Sequence, residues 1–172
     1  MQKILAVSMV LSFQTVFGQT NIDKVVRIKR EVEQINLQGG YAKKTLANEA
    51  FMPNITDGGG QLTGYFKDGQ LMKIVEWVGL SSCINTTEYY FQNGNLIFVY
   101  TQGKIFKYEK NKSSYNPAVE AVAMEARFYF SDSKMIKSIL KGETICSGKP
   151  LESWVSDYKD NCKRYSRLLN RK

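Results

Sequence analysis

The chain has 172 residues, a formal charge of +8 from 24 Lys and Arg against 16 Asp and Glu, and no histidine. Lack of an imidazole excludes the catalytic mechanisms that need one and the usual mixed Cys/His zinc sites, and no cofactor is expected. The basic surplus draws the protein toward anionic surfaces, which governs encounter rather than chemistry.

The chain opens with a cation at Lys3, an apolar run from Ile4 to Val16, and Val16-Phe17-Gly18 before the polar Gln19. This is the three-part pattern of a secretory signal. Residues 1–18 are therefore expected to be a cleaved signal peptide, and residues 19–172 a single α+β domain. The apolar run is broken by Ser8, Ser12 and Gln14, and it falls short of the roughly 20 apolar residues that a membrane span needs. No cysteine follows it to carry a lipid, so a periplasmic or secreted location is expected. Loss of Lys3 lowers the formal charge from +8 to +7.

From Asn21 to Gln38, Ile22, Val25, Val26, Val32 and Ile35 recur at helical spacing, with Asn21 as the expected cap and Gly39-Gly40 as the stop. Asp57-Gly58-Gly59-Gly60 follows. It lacks the Gly-Lys-Ser/Thr of a phosphate cradle and is expected to be a flexible loop.

The middle of the chain holds three similar segments: Tyr65 to Met72, Tyr90 to Ile97, and Tyr129 to Ile136. Each begins Tyr-Phe, with Asp68-Gly69, Asn93-Gly94 or Asp132-Ser133 two residues further on. These dipeptides suit type I′ hairpin turns, Asp-Ser least well. A meandering antiparallel sheet of about five to seven strands is expected, with the three turns at one end. Gly79 to Asn85 and Asn111 to Pro117 then lie at the other end, provided that Asn95 to Tyr108 is one strand rather than turning at Gln102-Gly103.

Leu151 to Leu169 gives the clearest helical pattern. Leu151, Trp154, Val155, Tyr158, Cys162, Tyr165 and Leu169 fall within a sector about 100° wide, and Pro150 suits the first turn. The expected architecture is thus an N-terminal helix, an antiparallel meander and a C-terminal helix packed on it.

Three cysteines in an exported chain suggest one disulfide and one leftover thiol. Strand parity brings Cys146 toward Cys83, the preferred pair. A bond from Cys146 to Cys162 would span about 18 Å of helix, near the reach of the short link to Pro150. Cys162 is then expected to be a buried thiol without a histidine base, hence structural.

Lys159, Lys163, Arg167 and Arg171 recur every fourth residue on the expected outer face of the last helix, joined by Arg164. They form the candidate anion-contact surface, beside the ordinary reading of a solvated face whose late cations suit the helix dipole. Lys104, Lys107, Lys110 and Lys112 interleave with Phe106 and Tyr108; strand alternation explains this as well as nucleic-acid contact does, so nucleic acid is not the expected partner. Glu76, Glu88, Glu109 and Glu125 lie on expected strands, but no spacing selects an acid/base pair. Trp77, Tyr89, Tyr90, Phe98 and Tyr100 are expected to line a sheet face, as core where a helix covers them and as a binding surface where none does.

Leu62-Thr63-Gly64-Tyr65-Phe66 and the run Tyr89 to Val99 resemble segments of a group of exported Gram-negative bacterial proteins of unknown function. They resemble, more weakly, MORN-type hairpin repeats, although the unequal spacing departs from that pattern. The resemblance covers the middle of the chain and implies no activity or catalytic residue. The expected function is non-catalytic binding within the cell envelope or outside the cell, to an unidentified component for which an anionic one is a candidate. The alternative is a small secreted hydrolase that uses a carboxylate pair.

Overall fold

The computed structural model describes residues 20–143 and 151–171; the expected signal peptide, residues 1–18, and Cys146 lie outside the described residues. Thr20 rather than Asn21 caps the first helix, α1 (Asn21–Leu37), because its Oγ1 accepts a hydrogen bond of 3.3 Å from the Asp23 amide. One of the amides left unpaired at a helix start is satisfied in this way. Val25, Ile28 and Ile35 form the buried stripe, with Val32 packed beside them. Val26 sits one residue off that stripe, and Ile22 is in the first turn; both are exposed. At the far end the Tyr41 hydroxyl donates to the Ile35 carbonyl at 2.9 Å, satisfying one of the acceptors that a helix end leaves over.

Two elements beyond the sequence expectation follow: strand β1 (Ala42–Ala47) and the one-turn helix α2 (Asn48–Phe51). β1 is a short edge strand carrying Lys43 and Lys44. Charge and brevity are how edges avoid unwanted pairing, and they also erase the alternation by which a strand is recognised.

Six strands complete the sheet: β2 (Gly60–Lys67), β3 (Gln70–Gly79), β4 (Cys83–Gln92), β5 (Asn95–Glu109), β6 (Ser114–Ser131) and β7 (Lys134–Gly142). The seven strands lie in sequence order, and every neighbouring pair is antiparallel. The architecture is therefore α+β with an antiparallel meander. Gln102 and Gly103 lie within β5 as one continuous strand.

All three expected hairpin turns form. Asp68 and Gly69, Asn93 and Gly94, and Asp132 and Ser133 all have positive φ, between 50° and 76°, the backbone signature of a type I′ turn. Beside each turn the register slips by one residue at the repeated Tyr-Phe pair: Tyr65/Phe66, Tyr90/Phe91 and Tyr129/Phe130. The unpaired residues opposite are Met72, Ile97 and Ile136, so the pattern is a bulged hairpin used three times.

The bulges serve two cores on opposite sheet faces. Tyr90, Tyr129, Met72, Ile97 and Ile136 pack with α1. Phe66, Phe91 and Phe130 pack on the other face with the last helix, α3 (Leu151–Asn170), whose Trp154, Cys162, Tyr165 and Leu169 are buried. Burying a side chain such as Leu169 contributes about 1.5–3 kcal/mol. The order is helix, sheet, helix, and the sheet is covered on both faces.

The glycine-rich segment, expected to be a flexible loop, is held by β3. The Gly58 amide donates to the Gly79 carbonyl at 3.2 Å, and the Gly79 amide donates to the Gly59 carbonyl at 2.9 Å. A Cβ at Gly58 would lie 2.6 Å from the Gly79 carbonyl carbon. The glycines permit two backbones to touch, and no phosphate cradle is formed.

Candidate functional site

Ile74, Glu76 and Val78 of β3 share the face beneath α3, and the buried carboxylate of Glu76 is held from both sides. The Tyr165 hydroxyl donates to Glu76 Oε1 at 2.5 Å, and the Tyr89 hydroxyl donates to Oε2 at 3.2 Å. Burial pushes the Glu76 carboxyl above the ordinary range, against the opposing pull of the two tyrosine hydroxyls and the Arg164 charge.

Arg164 belongs to this cluster rather than to the outer face of α3. Its guanidinium donates to the Phe51 carbonyl, to Asn161 Oδ1 at 3.1 Å and to the Tyr165 hydroxyl at 3.2 Å, and it lies 4.7 Å from the Tyr165 ring centroid. Position 164 borders the buried stripe through Tyr165, and the long side chain reaches the end of α2. The fold uses this cation.

The other cations of the candidate surface differ in exposure. Lys163, Arg167 and Arg171 are exposed on α3. Lys159 is half-buried, with its ammonium 5.9 Å from the Phe130 ring centroid. The Lys44 ammonium of β1 donates to the Arg171 carbonyl, which brings the basic edge strand against the helix end. Among the described residues, Lys43, Lys44, Lys159, Lys163, Arg167 and Arg171 take part in no salt bridge, in contrast to Lys24, Lys73, Lys104, Lys112 and Arg127.

The remaining carboxylates are engaged separately. Glu88 accepts from the Tyr90 hydroxyl and pairs with Lys73 at 3.0 Å. Glu125 accepts from the Tyr100 hydroxyl at 2.5 Å and pairs with Arg127 at 3.6 Å. Glu109 accepts from Asn116 at 2.6 Å and pairs with Lys112 at 2.7 Å. Of the aromatics, Tyr89 lies under α3, Tyr90 and Phe98 lie under α1, and Trp77 and Tyr100 are half-buried. Lys104 and Lys112 of the second basic run are paired with Glu120 and Glu109.

Cys162 is a buried free thiol whose pKa burial pushes up to about 11, which suits a structural role. Cys83, at the start of β4, is also buried. A cleft of about 200 Å³ opens between α3 and the sheet, where Asn85, Thr87 and Thr101 lie opposite Asp157, Tyr158 and Asn161. Asn85 is visible in the sequence only as the start of an Asn-x-Thr triplet, a glycosylation signal in eukaryotic secretion alone, and Asn161 carries no spacing signal. Glu76 was recognisable in principle, because Ile74 and Val78 flank it in strand alternation.

No family model, no curated protein and no solved structure matches the chain.

Proposed function

We propose that the protein is a non-catalytic binding protein of the cell envelope or exterior, which attaches to an anionic component through the outer face of α3 and the neighbouring β1 edge. The observation that carries this reading is the contact of the Lys44 ammonium with the Arg171 carbonyl, beside the exposed Lys163 and Arg167 of α3, cations that take part in no salt bridge among the described residues. Grouped cations on one surface attract headgroup or polymer anions over a distance set by the ionic strength. Among the described residues, no helix is long and apolar enough to cross a membrane. Attachment through this face would be peripheral.

Glu76 and Asp157 line one cleft, which is the single observation in favour of the carboxylate hydrolase. Against it, both oxygens of Glu76 are taken by tyrosine hydroxyls, which suits an anchor for α3 better than a base. The test is co-sedimentation with anionic and neutral vesicles, and retention on immobilised polyphosphate, at low and high salt. Binding in either anionic arm that salt abolishes supports the reading, and the arm that binds identifies lipid or polymer.

A further inference from the structure

Beneath α3 the two-sided core gives way to polar side chains at one place. Asn85, Thr87 and Thr101 from β4 and β5, with Asp157, Tyr158 and Asn161 from α3, line the cleft of about 200 Å³. Thr87 and Thr101 hydroxyls hydrogen-bond each other at 3.0 Å, and each keeps acceptor capacity. Asn85 forms no side-chain hydrogen bond among the described residues. Trp154 is also on the wall, its ring centroid 6.3 Å from that of Tyr158.

We propose that this cleft binds a small neutral polyol, a sugar-sized ring carrying adjacent hydroxyls. Side-chain amides and a carboxylate offer the paired donors and acceptors that adjacent hydroxyls complete, and the indole offers an apolar wall to the C–H face of a ring. No Lys or Arg lines the cleft, because Arg164 is turned to the Phe51 carbonyl; an anionic ligand would find no charge partner. Glu76 also lines the cleft, but both of its oxygens already accept hydrogen bonds from the Tyr89 and Tyr165 hydroxyls. An apolar ligand of equal size would cover the half-buried Asn85 amide without pairing it, which selects for hydroxyls. The proposal is independent of the basic face of α3, which lies outside this cleft.

The experiment is an amide-resolved NMR titration of the protein with neutral hexoses and pentoses, and with acetate, phosphate and methylammonium as charged probes. Saturable shifts centred on Asn85, Thr87, Thr101, Trp154 and Asn161 are expected with at least one sugar and none of the charged probes. Asn85→Ala and Thr87→Val should each weaken that binding by about tenfold or more, while circular dichroism and the melting temperature report an intact fold. Saturation by a charged probe alone, shifts centred elsewhere, no saturable sugar in the panel, or unchanged affinity in both folded variants would overturn the proposal.

Discussion

Tyr165 of α3 donates a 2.5 Å hydrogen bond to Glu76 at the centre of β3, across 89 positions of sequence. The bond fixes the last helix over the sheet at a point where Tyr165 is buried and Glu76 half-buried. Tyr165→Phe keeps the ring and its edge contacts with Phe51 and Tyr89 but leaves a carboxylate oxygen without its donor. A loss of about 1–3 kcal/mol is expected in urea unfolding at neutral pH. A variant as stable as the parent would show that the contact does not anchor the helix.

Glu76 also sets a pH dependence. Its folded pKa is raised above 4.5 by burial, so between that value and the folded pKa the native state holds a proton that the unfolded chain has released. Stability from this group is present below the unfolded pKa and declines as pH rises through the folded one. Glu76→Gln should flatten the decline in melting temperature above the ordinary carboxylate range. An unaltered profile in the variant would assign the dependence elsewhere.

Gly79→Ala tests the close backbone approach at the end of β3. The added Cβ would lie 2.9 Å from the carbonyl carbon and oxygen of Gly58, and neither chain segment can yield as a side-chain tip does. A cost of roughly 1–3 kcal/mol is expected in equilibrium unfolding. Retention of full stability would mean that the 57–60 segment moves freely away from β3.

With Cys162 free, Cys146 is the one remaining cysteine in the chain with which Cys83 can pair internally. The pair remains a proposal, and peptide mapping without reductant should recover it. Reduction, or Cys146→Ser, should cost roughly 2–5 kcal/mol, while Cys162→Ser leaves the bridge intact. Recovery of a peptide containing Cys162 in a disulfide would contradict this assignment.

The hairpins were legible because their chemistry is local: Asp-Gly and Asn-Gly tolerate positive φ, and so does Asp132-Ser133, where the paired strands on either side hold the turn. What Tyr-Phe does in each copy was not legible. Strand alternation sends the two side chains to opposite faces, but that Tyr90 and Tyr129 meet α1 while Phe91 and Phe130 meet α3, with a bulged residue in the facing strand, depends on two strands together. β1 escaped notice because an edge strand with two lysines carries no apolar alternation. The basic face was legible from the four-residue spacing of its cations, but the diversion of Arg164 to α2 required the tertiary contact with Phe51. The polar cleft is assembled from β3, β4, β5, β6 and α3, and no linear pattern announces it.

The most direct test of the central claim is the affinity of the protein for anionic vesicles and polyphosphate, compared with a triple variant carrying Lys163→Glu, Arg167→Glu and Arg171→Glu. If each cation near an anionic surface is worth about 1 kcal/mol, losing three weakens binding by roughly two orders of magnitude, and the three new carboxylates add repulsion to that loss. The account predicts that loss, together with release of the parent protein by high salt and no binding to neutral vesicles. Equal affinity of parent and folded variant, or absence of binding to both anionic probes at low salt, would contradict it.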